Sequence, residues 1–247
     1  VVGVVSSPVI HDQTIYYIDV LGTVFARDVK TGAITDPVRH WTTTLVDPDF
    51  DAAVTPIAPD LYYTALVVTD SHVWVRSSVY GRLHAVRRIG GDEVDFNPST
   101  AAIDPYTVTP DEIFTSSLGD RVSVRTEKAQ GSRELLITGQ DVIVNDAIVQ
   151  GGQQGLLVAL DITDPEHPRE IWRLPTIDRN PVTGKPYGTG VSAGSGLAID
   201  LKRHLVIDGT GQNTSFPYVG YPDPALAPPG YVDRGDSLFA VDYLTGQ

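Results

Sequence analysis

One short phrase occurs four times along this chain, and it restricts the fold more than any other feature. It reads Gly22-Thr-Val-Phe-Ala-Arg-Asp-Val-Lys-Thr-Gly32, then Gly81-Arg-Leu-His-Ala-Val-Arg87, then Gly155-Leu-Leu-Val-Ala-Leu-Asp-Ile-Thr-Asp164, and finally Asp236-Ser-Leu-Phe-Ala-Val-Asp-Tyr-Leu-Thr-Gly246. A unit that recurs in this way buries its apolar face by stacking on copies of itself, so a repeat architecture is expected. Gly opens a strand where a tight turn needs positive φ. Alternating residues form the strand. A small Ala (Ala26, Ala85, Ala159, Ala240) stands where a larger side chain would strike an adjacent sheet. The Asp and Thr-Gly close the strand with a turn that hydrogen-bonds its own backbone. Trp41 and Trp172 follow two of the copies and can cap the neighbouring sheet.

Helix periodicity is nearly absent. Short runs of Val, Ile, Tyr, Leu and Phe alternate with polar residues between Gly, Asp, Asn and Pro, which predicts an all-β chain. Four hairpins are expected: Thr14–Asp19 with Thr23–Asp28, His72–Arg76 with Gly81–Val86, Asp141–Asn145 with Gly155–Asp161, and Leu197–Asp200 with His204–Asp208. The Ala anchors lie 59, 74 and 81 residues apart, and a four-stranded propeller blade needs roughly 40 to 50. The surplus falls in loops at Asp47–Pro59, Gly90–Pro110, Arg179–Gly190 and Gln212–Arg234. Long loops on one face of a rigid scaffold are where binding sites usually lie.

Asp plus Glu number 31 against 18 for Lys plus Arg, a formal charge of −13 that repels phosphate and argues against nucleic acid as a partner. No apolar run approaches the roughly 20 residues of a membrane span. The chain has no Cys, so it has neither a disulfide framework nor a thiolate site. Asp47-Pro-Asp-Phe-Asp51 sets carboxylates at alternate positions, but Ala52 and Ala58 replace the Gly and Glu of a calcium loop, and a solvated acidic loop is the expectation. His11, His40, His72, His84, His167 and His204 show no metal-ligand spacing, and His84, on an alternating strand, reads as packing. Gly90-Gly91 and Gly151-Gly152 read as turns rather than phosphate loops.

The phrase Ala-x-Asp-x-x-Thr-Gly followed by Trp, together with Gly194-Ser-Gly-Leu-Ala-Ile-Asp-Leu-Lys-Arg-His-Leu-Val-Ile-Asp-Gly-Thr-Gly-Gln-Asn213, resembles the quinoprotein alcohol dehydrogenases. Its closest likeness is to the polyvinyl alcohol dehydrogenase branch. These are eight-bladed β-propellers that hold pyrroloquinoline quinone and usually Ca²⁺. The resemblance implies about four blades of such a propeller over residues 1–247, a single segment completed by a second chain or a continuation. It also implies an oxidoreductase acting on a small-molecule alcohol, periplasmic or secreted. The alternative is a propeller subunit that has lost the quinone and serves as a binding or scaffold module or carries a different activity. Carried over by position, the cofactor-binding residues are Gln150, Gln212 and Asn213, with Asn213 as the metal ligand. Gly194 stands where the family stacks the quinone on Trp. No catalytic residue is assigned, because the family's catalytic Asp belongs to the segment after the fourth repeat.

Overall fold

Every copy of the repeated phrase becomes the third strand of a small antiparallel sheet. In a computed structural model of the chain, residues 7–19, 21–45, 66–76, 82–108, 114–116, 121–125, 133–143, 153–176, 197–210 and 237–247 are described. The first sheet runs β1 (Val9–His11), β2 (Thr14–Ile18), β3 (Thr23–Asp28), β4 (Thr42–Thr44) in spatial as in chain order. The second repeats that order with β5 (Val67–Val68), β6 (His72–Arg76), β7 (Arg82–Arg87) and β8 (Tyr106–Thr107). The third contains β9 (Phe114–Ser116), β10 (Arg121–Arg125), β11 (Glu134–Ile143), β12 (Gln153–Asp161) and β13 (Arg169–Pro175), with β9 paired to the far end of β11. The fourth is β14 (Ala198–Asp200), β15 (Leu205–Gly209) and β16 (Leu238–Asp242). Among the described residues there is no helix.

Period-two burial drives each sheet. Along β2, Thr14, Tyr16 and Ile18 are buried and Ile15 and Tyr17 only half so. Their cross-strand partners Ala26 and Val24 share the buried face. The chain divides into two compact units, Val1–Thr109 with Ile162–Pro168, and Pro110–Asp161 with Arg169–Gln247. In the first unit Tyr16, Ile18, Val24, Ala26 and Trp41 pack on Val73, Val75 and Val86 of the second sheet. In the second unit Leu135, Ile137, Leu157, Ala159 and Trp172 pack on Val206, Val241 and Tyr243 of the fourth. Each buried Val, Ile or Leu here contributes about 1.5–3 kcal/mol.

The two tryptophans join the sheets in pairs, by one geometry used twice. The Trp41 indole N–H donates to the Arg88 carbonyl at 2.9 Å, and the Trp172 indole N–H donates to the Tyr243 carbonyl at 2.9 Å. Arg88 and Tyr243 each lie three residues after their repeat's Ala, and Gly91 and Gly246 six residues after it. Both glycines hold positive φ, +78° and +74°. A Cβ on Gly91 would lie 2.6 Å from the Trp41 ring, and one on Gly246 would lie 2.8 Å from the Trp172 ring. The Gly of the repeat is therefore required twice over, by its backbone conformation and by the indole lying on it. His40 helps aim Trp41. It is buried, and its Nδ1 accepts the backbone N–H groups of Thr35 and Asp36, which fixes the loop ahead of the indole.

The structure departs from the expected hairpins in particular places. The third begins at Glu134, seven residues before the expected Asp141. Leu135, Leu136 and Ile137 are all fully buried, so no alternation marks the strand, and Gly139 imitates a turn. A first strand, β1, joins β2 through Asp12 and Gln13, both at positive φ, a two-residue turn without the usual Asn-Gly signature. His204, expected to open a strand, ends the preceding turn at φ +60°. Ala26, Ala85 and Ala159 are buried as expected. Ala240 is exposed, on the face of β16 turned away from the second unit's core.

Candidate functional site

Antiparallel alternation assigns the connections of each sheet to two ends. First-to-second and third-to-fourth strand turns lie at one end, and second-to-third turns and the crossings to the next sheet lie at the other. In the first sheet the second-to-third turn is tight: the Asp19 carboxylate accepts the N–H groups of Leu21 and Thr23, and Gly22 takes φ +78°. The same connection is longer in the third sheet, where Ile143 and Gln153 form the last pair, and longer still in the fourth. There Thr210 and Ser237 clasp the neck, with Thr210 N–H to the Ser237 carbonyl at 2.9 Å and Ser237 N–H to the Thr210 hydroxyl at 3.1 Å. Gln150, Gln212 and Asn213 belong to these two connections and Gly194 to the crossing from β13 to β14. All four lie outside the described residues, as do Asp47–Asp51, Arg179–Gly190 and Gln212–Arg234. Among the described residues no group of three or more His, Asp or Glu could hold a metal ion.

The opposite end of the first unit carries a polar pocket of about 160 Å³ lined by Asp12, Thr14, Tyr16, Arg39, Asp70 and Arg88, with Ile89 at its edge. Arg88 is its centre and is buried. Its guanidinium donates to the Tyr16 hydroxyl at 3.2 Å, to the carbonyls of Thr69 and Asp70 at 3.3 and 2.7 Å, and to the Asp12 carboxylate at 2.9 Å. Burial works against its charge, but the bonds to Tyr16 and Asp12 prevail and hold the group protonated beyond its ordinary range. The Arg88 hydrogen bond in turn holds the Asp12 carboxyl below the usual carboxylate value. These charges satisfy one another, so the pocket is a clamp between the β1–β2 turn and the β5–β6 turn. Arg88→Met should cost roughly 2–3 kcal/mol, since it removes charge-assisted bonds and leaves carbonyls without their donor. Urea denaturation of the variant measures this.

Two further histidines are buried. His72 on β6 is held below its ordinary value of 6.5, first by burial; Glu166 opposes that shift and Arg87 adds to it. The neutral form is favoured inside, whereas the unfolded chain takes up a proton as pH falls through 6.5. Stability contributed by this group is therefore complete above that value and declines as pH falls below it, toward the folded value. His72→Gln should flatten the acid-side loss, measured as denaturation midpoint against pH. His84 on β7, expected as packing, is fully buried and has a partner as well. Its Nδ1 lies 2.6 Å from Glu93, whose side chain is 4% exposed. Glu93 reaches it because its backbone bridges Val86 on the same strand. Neither Arg88 nor Glu93 stood out in the sequence. The only available signal was their position just after a repeat, at a turn already marked by Gly90-Gly91.

No protein-family model matches the chain, and no curated protein matches it. Its architecture is similar to that of quinohemoprotein alcohol dehydrogenase ADHIIG from Pseudomonas putida HK5, with a TM-score of 0.63 and 19% identity, covering 100% of this chain and 33% of that one. The quinohemoprotein alcohol dehydrogenase from Comamonas testosteroni gives 0.62 and 20%, covering 99% and 34%. A europium-containing methanol dehydrogenase gives 0.61 and 14%, covering 99% and 41%. These likenesses establish the fold. The four sheets are β-propeller blades, and the chain spans about a third of the length of the first two structures.

Proposed function

We propose that this chain supplies about four blades of an oxidoreductase of the quinoprotein alcohol dehydrogenase type. The observation that carries this reading is the architectural likeness over the whole chain, at a TM-score of 0.63. Residues 1–247 form a single propeller segment that a second chain or a continuation completes. The substrate class is a small-molecule alcohol and the setting periplasmic or secreted. The motif Gly194–Asn213 is what favours the polyvinyl alcohol dehydrogenase branch.

Pyrroloquinoline quinone and Ca²⁺ would come with that type, and the donor chemistry of this chain does not fit them. Gln150, Gln212 and Asn213 offer three neutral amide oxygens and no carboxylate, whereas Ca²⁺ takes six to eight oxygens with carboxylates among them. Gly194 gives a quinone ring no stacking surface. We therefore derive no catalytic step through either group. The same residues favour a second reading, a propeller module that has lost the quinone and acts in binding or scaffolding. One experiment separates the two. The complete polypeptide is incubated with pyrroloquinoline quinone and Ca²⁺, desalted, and assayed for quinone absorbance and alcohol-dependent dye reduction. Retained absorbance with dye reduction supports the dehydrogenase; absence of both leaves the binding module.

A further inference from the structure

The clamp between the β1–β2 and β5–β6 turns uses up its charges but not its hydroxyls. Thr14, at the start of β2, is 2% exposed and lines the pocket of about 160 Å³. Among the described residues its hydroxyl has no hydrogen-bond partner, and it is not sealed in the packing. Tyr16, 1% exposed on the same strand face, accepts from Arg88 Nε at 3.2 Å, and its own O–H proton meets no acceptor among the described residues. The Arg88 guanidinium carries five N–H groups. Four are spent, on Tyr16, Thr69, Asp70 and Asp12, which leaves one on Nη2. Buried polar groups are nearly always paired, so three unspent donors around one cavity call for an acceptor.

A carboxylate stands beside these donors. Asp12 gives one oxygen to Arg88 at 2.9 Å, and the same oxygen lies 3.1 Å from His11 Nδ1. Its other oxygen has no partner among the described residues, and the side chain is 66% exposed. Asp12 reaches Arg88 from a turn in which both it and Gln13 hold positive φ. Such backbone costs an L-residue energy and gathers at functional sites. The lining is balanced in charge, Arg39 and Arg88 against Asp12 and Asp70. A free ion therefore gains no net attraction there, and the chain's charge of −13 repels an anion. A group that both accepts and donates satisfies the donors and the carboxylate together. Adjacent hydroxyls do this, each with one O–H donor and two lone pairs.

We infer that this pocket binds a neutral polyhydroxylated ligand, a monosaccharide or sugar alcohol, through adjacent hydroxyls. The ligand's oxygens accept from Thr14, Tyr16 and Arg88, and one of its hydroxyls donates to Asp12. Ile89, 59% exposed at the edge, meets the carbon side of the ligand. The site lies within the first unit and uses none of Gln150, Gln212 and Asn213, so failure of the dehydrogenase reading leaves it standing.

The complete polypeptide is titrated with D-glucose, D-galactose, D-mannose and D-glucitol in turn, and binding is followed by saturation-transfer NMR on the ligand protons. At least one of the four should bind saturably, whereas cyclohexanol, with a single hydroxyl, and acetate should not. Thr14→Val removes the hydroxyl at nearly constant shape and should weaken binding roughly fivefold, the worth of one neutral hydrogen bond. The same change should leave the urea midpoint no lower, because that hydroxyl bonds nothing among the described residues; a lowered midpoint would show a structural role and count against the site. Thr14→Ser keeps the donor and should keep the affinity. Saturable binding of none of the four, equal binding of cyclohexanol or acetate, or an unchanged affinity in Thr14→Val overturns the inference.

Discussion

Gly91→Val should lower the stability of the first unit by about 4–7 kcal/mol, while the same change at Gly32 should cost only about 1–2. Both positions hold positive φ, +78° and +69°, and a left-handed conformation costs an L-residue about 1–2 kcal/mol wherever it occurs. The difference is the neighbour. At Gly91 the new Cβ would lie 2.6 Å from both Cγ and Cδ2 of Trp41. Those atoms belong to a rigid ring whose base is itself 3.0 Å away, so the ring cannot yield at its tip. The indole must leave, and with it the bond to the Arg88 carbonyl and the burial of a large aromatic side chain, a loss comparable to Trp→Ala at about 3–5 kcal/mol. At Gly32 there is nothing to displace. Paired urea denaturation curves decide it, and equal losses at the two positions would show that the glycine is kept for its backbone alone.

His84→Leu should destabilise the chain by about 3–5 kcal/mol, and adding Glu93→Leu should restore most of it. The imidazole and carboxylate sit 2.6 Å apart with side chains 0% and 4% exposed. Removing one partner leaves a carboxylate without its principal partner in the interior, which is far more costly than removing both. The double-mutant cycle across His84→Leu and Glu93→Leu therefore carries a large coupling energy. If the single and double variants are equally unstable, the pair is ordinary packing.

What the sequence made legible was local. Asp28, Thr31 and Gly32 write a turn within five residues, and Val24 and Ala26 write a strand face within three, so the repeat and the blades could be read directly. Trp41 and Trp172 were legible as caps because they recur after the same phrase. The remainder depends on residues brought together from a distance. Arg88 meets Asp12 and Tyr16 across more than 70 positions, and no local pattern marks it as the centre of a clamp. Glu93 finds His84 only through its bridge to Val86. The start of β11 was hidden by a strand buried on both faces, which has no alternation to detect. The candidate ligands Gln150, Gln212 and Asn213 were named by resemblance alone, and their donor chemistry is what divides the two functional readings.

Blades in this chain are locked in pairs by an indole seated on the glycine of the next repeat. Hydrogen exchange of the tryptophan indole protons tests it most directly. The chain has three tryptophans, so the spectrum is simple. In the wild-type protein the Trp41 and Trp172 indole protons should exchange slowly in heavy water, and Gly91→Val should bring Trp41 to the free rate while Trp172 stays protected. Rapid exchange of both in the wild-type protein, or no change at Trp41 in Gly91→Val, would contradict the account.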